Sequence, residues 1–236
     1  MMALVNNWHS KQIDFVQAYT QANVEKDMYM DIPKGFEVSE SGDFVLKVQK
    51  NIYGQKQAGR VWNQHLVKKL QKVGFIQCQN DPCIFMKGQN IYVLYTDDSI
   101  LMGPDPKELD SIIQQMKDVK LDLTVEGDIS DFLGVKISRK KDGTIHMNQP
   151  HLIDSILKEL HLDQENAKSK STPAAASKIL SAHTSSKAFD GHFNYRRVIG
   201  KLNYLEKSTR PDIAYAVHQC ARFVSNPKVE HGNAVK

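Results

Sequence analysis

Asp97 and Asp98 stand side by side between two strongly apolar runs, Asn90-Ile91-Tyr92-Val93-Leu94-Tyr95 and Ser99-Ile100-Leu101-Met102. Two adjacent aspartates at the tip of such a hairpin repel each other unless a cation or solvent lies between them. Clustered hard oxygen ligands suit Mg2+ or Mn2+ rather than Zn2+. Asp14 lies inside a third apolar run, Gln12-Ile13-Asp14-Phe15-Val16, where a lone charge is costly unless it joins the same site. Three carboxylates on two neighbouring strands can hold two metals about 3.5–4 Å apart, the arrangement for in-line phosphoryl transfer. A plainer account makes Asp-Asp an ordinary exposed turn, and the bare spacing leaves the two about even. Cys78, Cys83 and Cys220 are few and odd in number and lack a His at ligand spacing. A reduced, intracellular protein without structural zinc is therefore expected.

The elements that must position these groups can be read from periodicity. The two apolar runs around Thr96-Asp97-Asp98 predict a β-hairpin, and Gln12–Val16 predicts a short strand. Residues 23–56 mix short apolar runs with turn signals at Pro33, Gly35, Gly42 and Gly54, which predicts short strands and loops. Trp62, Leu66, Leu70 and Val73 share one helical face between Arg60 and Val73, with Gly74 as the stop. Asp105-Pro106-Lys107-Glu108 predicts a capping box opening a second helix, whose buried face is Leu109, Ile112, Ile113, Met116 and Val119. A strand pair is expected around Phe132–Ile137 and Thr144–Met147, turning at Lys141-Asp142-Gly143. A third helix should run from Pro150 to Leu160, with Leu152, Ile153, Ile156, Leu157 and Leu160 inward. Residues 163–192, rich in Ser, Ala and Lys, read as a linker or mobile loop, followed by a helical end from about Tyr195 to Phe223 broken near Pro211. The fold class is α+β, with mainly antiparallel strands followed by helices.

The chain has 236 residues, 41% hydrophobic and 25% charged, which excludes a disordered, collagenous or wholly coiled-coil protein. No apolar run exceeds five residues, so no membrane span is expected, and the N-terminus lacks the apolar core of a secretory signal. The net charge of +4 is unevenly spread. Residues 1–134 carry 14 Lys+Arg and 18 Asp+Glu, net −4, whereas residues 135–236 carry 17 and 9, net +8. An acidic part able to hold cations and a basic part able to hold phosphates suggest a nucleic-acid partner, about as well as they suggest ordinary solvated faces.

At this point the motifs resemble a known family, the reverse transcriptases of copia-type (Pseudoviridae-like) LTR retrotransposons. Tyr95-Thr96-Asp97-Asp98 resembles the Tyr-x-Asp-Asp box, and Gln12-Ile13-Asp14-Phe15-Val16-Gln17-Ala18-Tyr19 the first palm motif. Tyr29-Met30-Asp31-Ile32-Pro33-Lys34-Gly35-Phe36 and Tyr53-Gly54-Gln55-Lys56-Gln57-Ala58-Gly59-Arg60-Val61-Trp62 are similar to two further family blocks. Asn80–Phe85, Phe132-Leu133-Gly134, Tyr195-Arg196-Arg197 with Gly200, and Arg210–Ala214 follow in the family's order. Gly59 stands where the family usually has Pro, Gln55 where it has Leu, and Thr96 where it commonly has Val.

The resemblance implies a right-hand polymerase. Residues 1–19 would start the palm, 20–56 form partial fingers, 57–144 complete the palm with the catalytic hairpin and primer grip, and 145–236 form a basic helical thumb. It also implies that Asp14, Asp97 and Asp98, with the backbone carbonyl of Phe15, bind Mg2+ (Mn2+ as substitute). Tyr19 would sit beneath the incoming sugar and exclude a 2′-hydroxyl, Gln57 would contact the nucleotide, and Phe132, Leu133 and Gly134 would form the primer grip. The implied partners are an RNA or DNA template with its primer, deoxynucleoside triphosphates, and the remainder of a polyprotein, including upstream fingers and an RNase H domain. The chain is then expected to be a fragment of that polyprotein, located in the cell in cytoplasmic virus-like particles, with a nuclear location left open. The alternative is a catalytically inactive nucleic-acid-binding or interaction remnant.

Overall fold

The computed structural model describes residues 2–36, 44–164, 170–174, 179–182 and 185–236. The chain divides into two compact units, Met1–Ile129 and Ser130–Lys236.

The first unit opens with a short helix α1 (Met2–Val5) and strand β1 (His9–Phe15), followed by a 3-10 turn at Ala18–Gln21. Strands β2 (Asn23–Asp31) and β3 (Val45–Lys50) pair antiparallel as a separate ribbon. Helix α2 (Ala58–Val73) ends where Gly74 turns left-handed at φ 95. Then come β4 (Ile76–Gln77), β5 (Ile84–Lys87), β6 (Asn90–Tyr95), β7 (Asp98–Gly103), α3 (Pro106–Asp118) and β8 (Leu123–Gly127). The antiparallel sheet runs β4-β5-β6-β7-β1-β8, so β1, first in the chain, lies between β7 and β8. Side chains alternate between its faces. Ile13, Phe15, Phe85, Tyr92, Leu94, Leu101 and Leu123 join one buried cluster with Trp62, Leu66 and Leu70 of α2 and Leu109, Ile112 and Met116 of α3. Asp14 and Asp98, opposite one another in register, occupy the other face.

Two expectations change in detail. The Asp105 carboxylate accepts from the Lys107 N–H at 2.9 Å, so it caps α3, but no reach-back by Glu108 forms among the described residues. The run Phe132–Ile137 is not one strand. It folds into β9 (Asp131–Phe132) and β10 (Val135–Arg139), which pair with each other across a tight turn at Leu133-Gly134. Leu133 and Gly134 both take positive φ, 52 and 72, which reverses the chain there.

The second unit continues with β11 (Ile145–Asn148), completing a three-stranded sheet β11-β10-β9. Helix α4 (Pro150–Glu159) presents Ile156 inward, while α5 (Tyr195–Ser208) presents Tyr195, Val198, Ile199 and Leu205. A 3-10 turn (Pro211–Ile213) leads into α6 (Ala214–Ala221), and α7 (Val229–Val235) closes the chain. The break at Pro211 follows from its missing N–H. Much of the expected linker, at 165–169, 175–178 and 183–184, lies outside the described residues. Of the rest, Leu180 is buried in the helical core, with Phe189 packed against it. The fold is α+β with a mainly antiparallel sheet. No helix among the described residues is long and apolar enough to cross a membrane.

Candidate active site

Register places the carboxylates. Asp14 on β1 faces Asp98 on β7, and Tyr95 on β6 faces Asp98 from the other side. Partners in register share a sheet face, so the three side chains form a row on the face opposite the helices. Between β6 and β7 only Thr96 and Asp97 remain to turn the chain, and Thr96 carries the positive φ of 59. A β-branched residue in that region is strained, and such strain persists only where the surroundings hold it.

Trp62 of α2 is part of what holds it. Its indole Nε1–H donates to the Thr96 carbonyl at 3.0 Å, and the ring is only 1% exposed. The same ring meets Phe15 edge-on, with centroids 5.1 Å apart. One side chain thus braces both the strand that carries Asp14 and the turn that carries Asp97.

The electrostatics are those of an uncompensated acidic site. Partial burial, then the charges of Glu126 and Asp97, hold the Asp14 carboxyl above the usual carboxylate range. Partial burial, then Asp97 and Asp14, do the same for Asp98. Among the described residues no Lys or Arg forms an ion pair with Asp14, Asp97 or Asp98. Hard, mutually repelling carboxylates are the donor chemistry that a divalent cation relieves, so the donor type suits such a cation. Among the described residues, however, no group of three or more His, Cys, Asp or Glu side chains is drawn together at ligand distance.

Glu126 was not visible as a site residue in the sequence. The β1–β8 register slips between Gln12, opposite Gly127, and Ile13, opposite Val125, so Glu126 is the extra residue of a bulge. Its Oε2 accepts from Gln12 Nε2 at 2.5 Å. No local pattern announces a bulge, because it exists only once two distant strands pair.

Tyr19 lies in the 3-10 turn after β1, with its ring 4.4 Å from that of Tyr53. Its hydroxyl lies 3.8 Å from where a Cβ on Gly59 would stand. Burial, then Asp97, Tyr19 and Asp14, push the Tyr53 phenol up, so the acidic field reaches the tyrosine pair. Gln57 precedes α2 and gives no side-chain cap; its amide Nε2 instead meets the Met28 sulfur at 3.0 Å. Phe132, Leu133 and Gly134 sit at the β9–β10 turn, in the second unit.

Comparison with known proteins agrees with the motif order. A family model described as reverse transcriptase (RNA-dependent DNA polymerase) matches residues 1–176. The retrovirus-related Pol polyprotein from transposon RE1 of Arabidopsis thaliana is 33% identical over 239 residues, covering 100% of this chain and 16% of the polyprotein. That from transposon TNT 1-94 of Nicotiana tabacum is 32% identical, over 96% of this chain and 18% of the polyprotein. The transposon Ty5-1 protein of Saccharomyces cerevisiae is 29% identical over 93% of this chain and 71% of that protein. The chain therefore spans less than a fifth of the two plant polyproteins. With a family match over most of its length, and with the Asp14 and Asp97-Asp98 motifs on adjoining strands of one sheet, the chain belongs to the reverse transcriptase (RNA-dependent DNA polymerase) family.

Proposed function

We propose that this chain is the polymerase core of a copia-type retrotransposon polyprotein, extending a primer on an RNA template with deoxynucleoside triphosphates. The observation that carries this reading is the register pairing of Asp14 with Asp98, beside a braced turn that presents Asp97. In this reading Asp14, Asp97 and Asp98, with the Phe15 carbonyl, hold two Mg2+ ions, which when bound supply charge neutralisation and activate the primer 3′-hydroxyl. The protein's own contribution is position. Asp14 and Asp98 sit on paired strands over a packed core and Asp97 in the braced turn beside them, so a bound cation would have only side chains, not backbone, to draw together.

Tyr19 lies beneath the sugar of the incoming nucleotide, its ring supported by Tyr53. Gln57 turns from the Met28 sulfur to the nucleotide, giving up only a weak acceptor. Phe132, Leu133 and Gly134 present backbone to the primer strand, and the basic second unit meets duplex phosphates.

The test is Mg2+-dependent extension of a DNA primer on an RNA template, with Asp97→Ala beside the wild type. Extension should fall by at least about a thousandfold in the variant, as expected when electrostatic stabilisation of the reacting phosphate is lost. Equal extension by both proteins would sink the two-metal assignment. The excess of basic residues after Ser130 also favours a second reading, a nucleic-acid-binding remnant without chemistry. Primer–template binding that persists in EDTA, with no extension by either protein, would select it.

A further inference from the structure

The turn joining β9 to β10 has two residues, since Phe132 pairs directly with Val135. Both take positive φ, Leu133 at 52 and Gly134 at 72. This is the geometry of a tight hairpin turn that Asn-Gly or Gly-Gly adopts readily and that a leucine in first place resists. Left alone, Leu133 would relax toward negative φ, and Gly134 would follow, because glycine accepts either sign.

Tyr204, far along the chain in α5, reaches this turn. Its hydroxyl donates to the Leu133 carbonyl at 2.6 Å while its ring remains 45% exposed. The bond fixes the peptide plane between Leu133 and Gly134, the plane that sets where the Leu133 carbonyl and the Gly134 N–H point. The Thr96 turn is held in the same way, by an aromatic N–H from α2 on the carbonyl of a left-handed residue.

We infer that Tyr204 is a positioning residue, whose hydroxyl holds the Leu133-Gly134 turn in the conformation that receives the primer 3′ terminus. The inference rests on the primer-grip role proposed above. Tyr204 does not touch the primer; it acts through the turn. A helical side chain thereby tunes how well a primer end, rather than duplex as such, is bound.

The experiment is fluorescence anisotropy of the full chain in EDTA, with a recessed DNA primer on an RNA template and with a blunt duplex of the same sequence. Tyr204→Phe keeps the ring and removes only the hydroxyl, and its circular dichroism and melting temperature are taken first as a fold check. The wild type should prefer the recessed end. Tyr204→Phe should lose about fivefold on that probe, the size of one hydrogen bond net of water, and be unchanged on the blunt duplex. In a Leu133→Asn background the same substitution should cost less than about twofold, because Asn tolerates positive φ and needs no brace. Unchanged recessed-end binding, an equal loss on both probes, or an equal loss in the Leu133→Asn background would overturn the inference while leaving the primer-grip role intact. A wild type with no preference for the recessed end would overturn that role, and this inference with it.

Discussion

Asp98 shows how one carboxylate can be costly to the fold that carries it. Its carboxyl is held above the usual range by partial burial and by Asp97 and Asp14, so the folded state takes up a proton more readily than the unfolded chain. The sign follows: the ionised group lowers stability above its folded pKa, and that cost is relieved as pH falls through it. Asp98→Asn should therefore raise the melting temperature in EDTA at neutral pH by at most about 2–4 °C, the shift made by roughly 1 kcal/mol in a chain of this size. The gap to the wild type should close on acidification. Added Mg2+ should raise the wild-type melt more than that of the variant. A variant that melts lower at neutral pH would mean that Asp98 supports the fold through interactions other than its charge.

Among the elements, single helix side chains tie distant segments together. Trp62→Phe keeps an aromatic ring on Phe15 but removes the donor to Thr96, and should destabilise by about 1–3 kcal/mol through the missing bond and the unfilled space. Amide exchange around residues 95–98 should quicken more than in α3, which separates a loosened turn from a generally weakened core. In the second unit, Glu159 of α4 accepts from Arg197 Nε at 2.7 Å and Lys201 Nζ at 2.8 Å, both on α5. Burial raises its carboxyl, since the side chain is only 9% exposed, but the two cations outweigh burial and leave it below the usual range. A depressed carboxyl contributes stability above its unfolded pKa and loses it as pH falls through the folded one. Glu159→Gln should cost about 1–3 kcal/mol at neutral pH in urea unfolding and flatten the loss on acidification. A variant as stable as the wild type at neutral pH, with the same acid loss, would assign that loss to other groups.

Over the whole molecule, charge is divided much as the structure is. Residues 1–129 carry 14 basic and 17 acidic side chains, while residues 130–236 carry 17 and 10. The three aspartates thus lie in the acidic unit, and the excess of basic side chains lies in the other. Arg139, Lys140 and Lys141 are exposed together where β10 ends and turns toward β11. Reversing all three to Glu should weaken duplex binding at low salt and reduce the slope of log affinity against log salt by up to about 3, nearly one for each phosphate no longer neutralised. An unchanged slope would place the duplex elsewhere on the protein.

Much of this protein follows from local pattern. The apolar stripe of Trp62, Leu66 and Leu70, the stop at Gly74 and the cap at Asp105 specify their helices because period and capping act within a few residues. The two apolar runs around Thr96-Asp97-Asp98 specify their hairpin for the same reason, and the ordered motifs made the family legible from the sequence. What depends on distant partners was not legible. The Glu126 bulge arises only when β8 meets β1, and the placing of Asp98 beside Asp14 only when β7 does. The reversal at Leu133-Gly134 runs against leucine's own preference, and the donors that hold it and the Thr96 turn come from helices remote in sequence. The sequence by itself determined which residues could do chemistry and which elements carry them. The tertiary structure alone decided how those residues are aimed, because turn strain and register are settled by long-range packing that no short window of sequence contains.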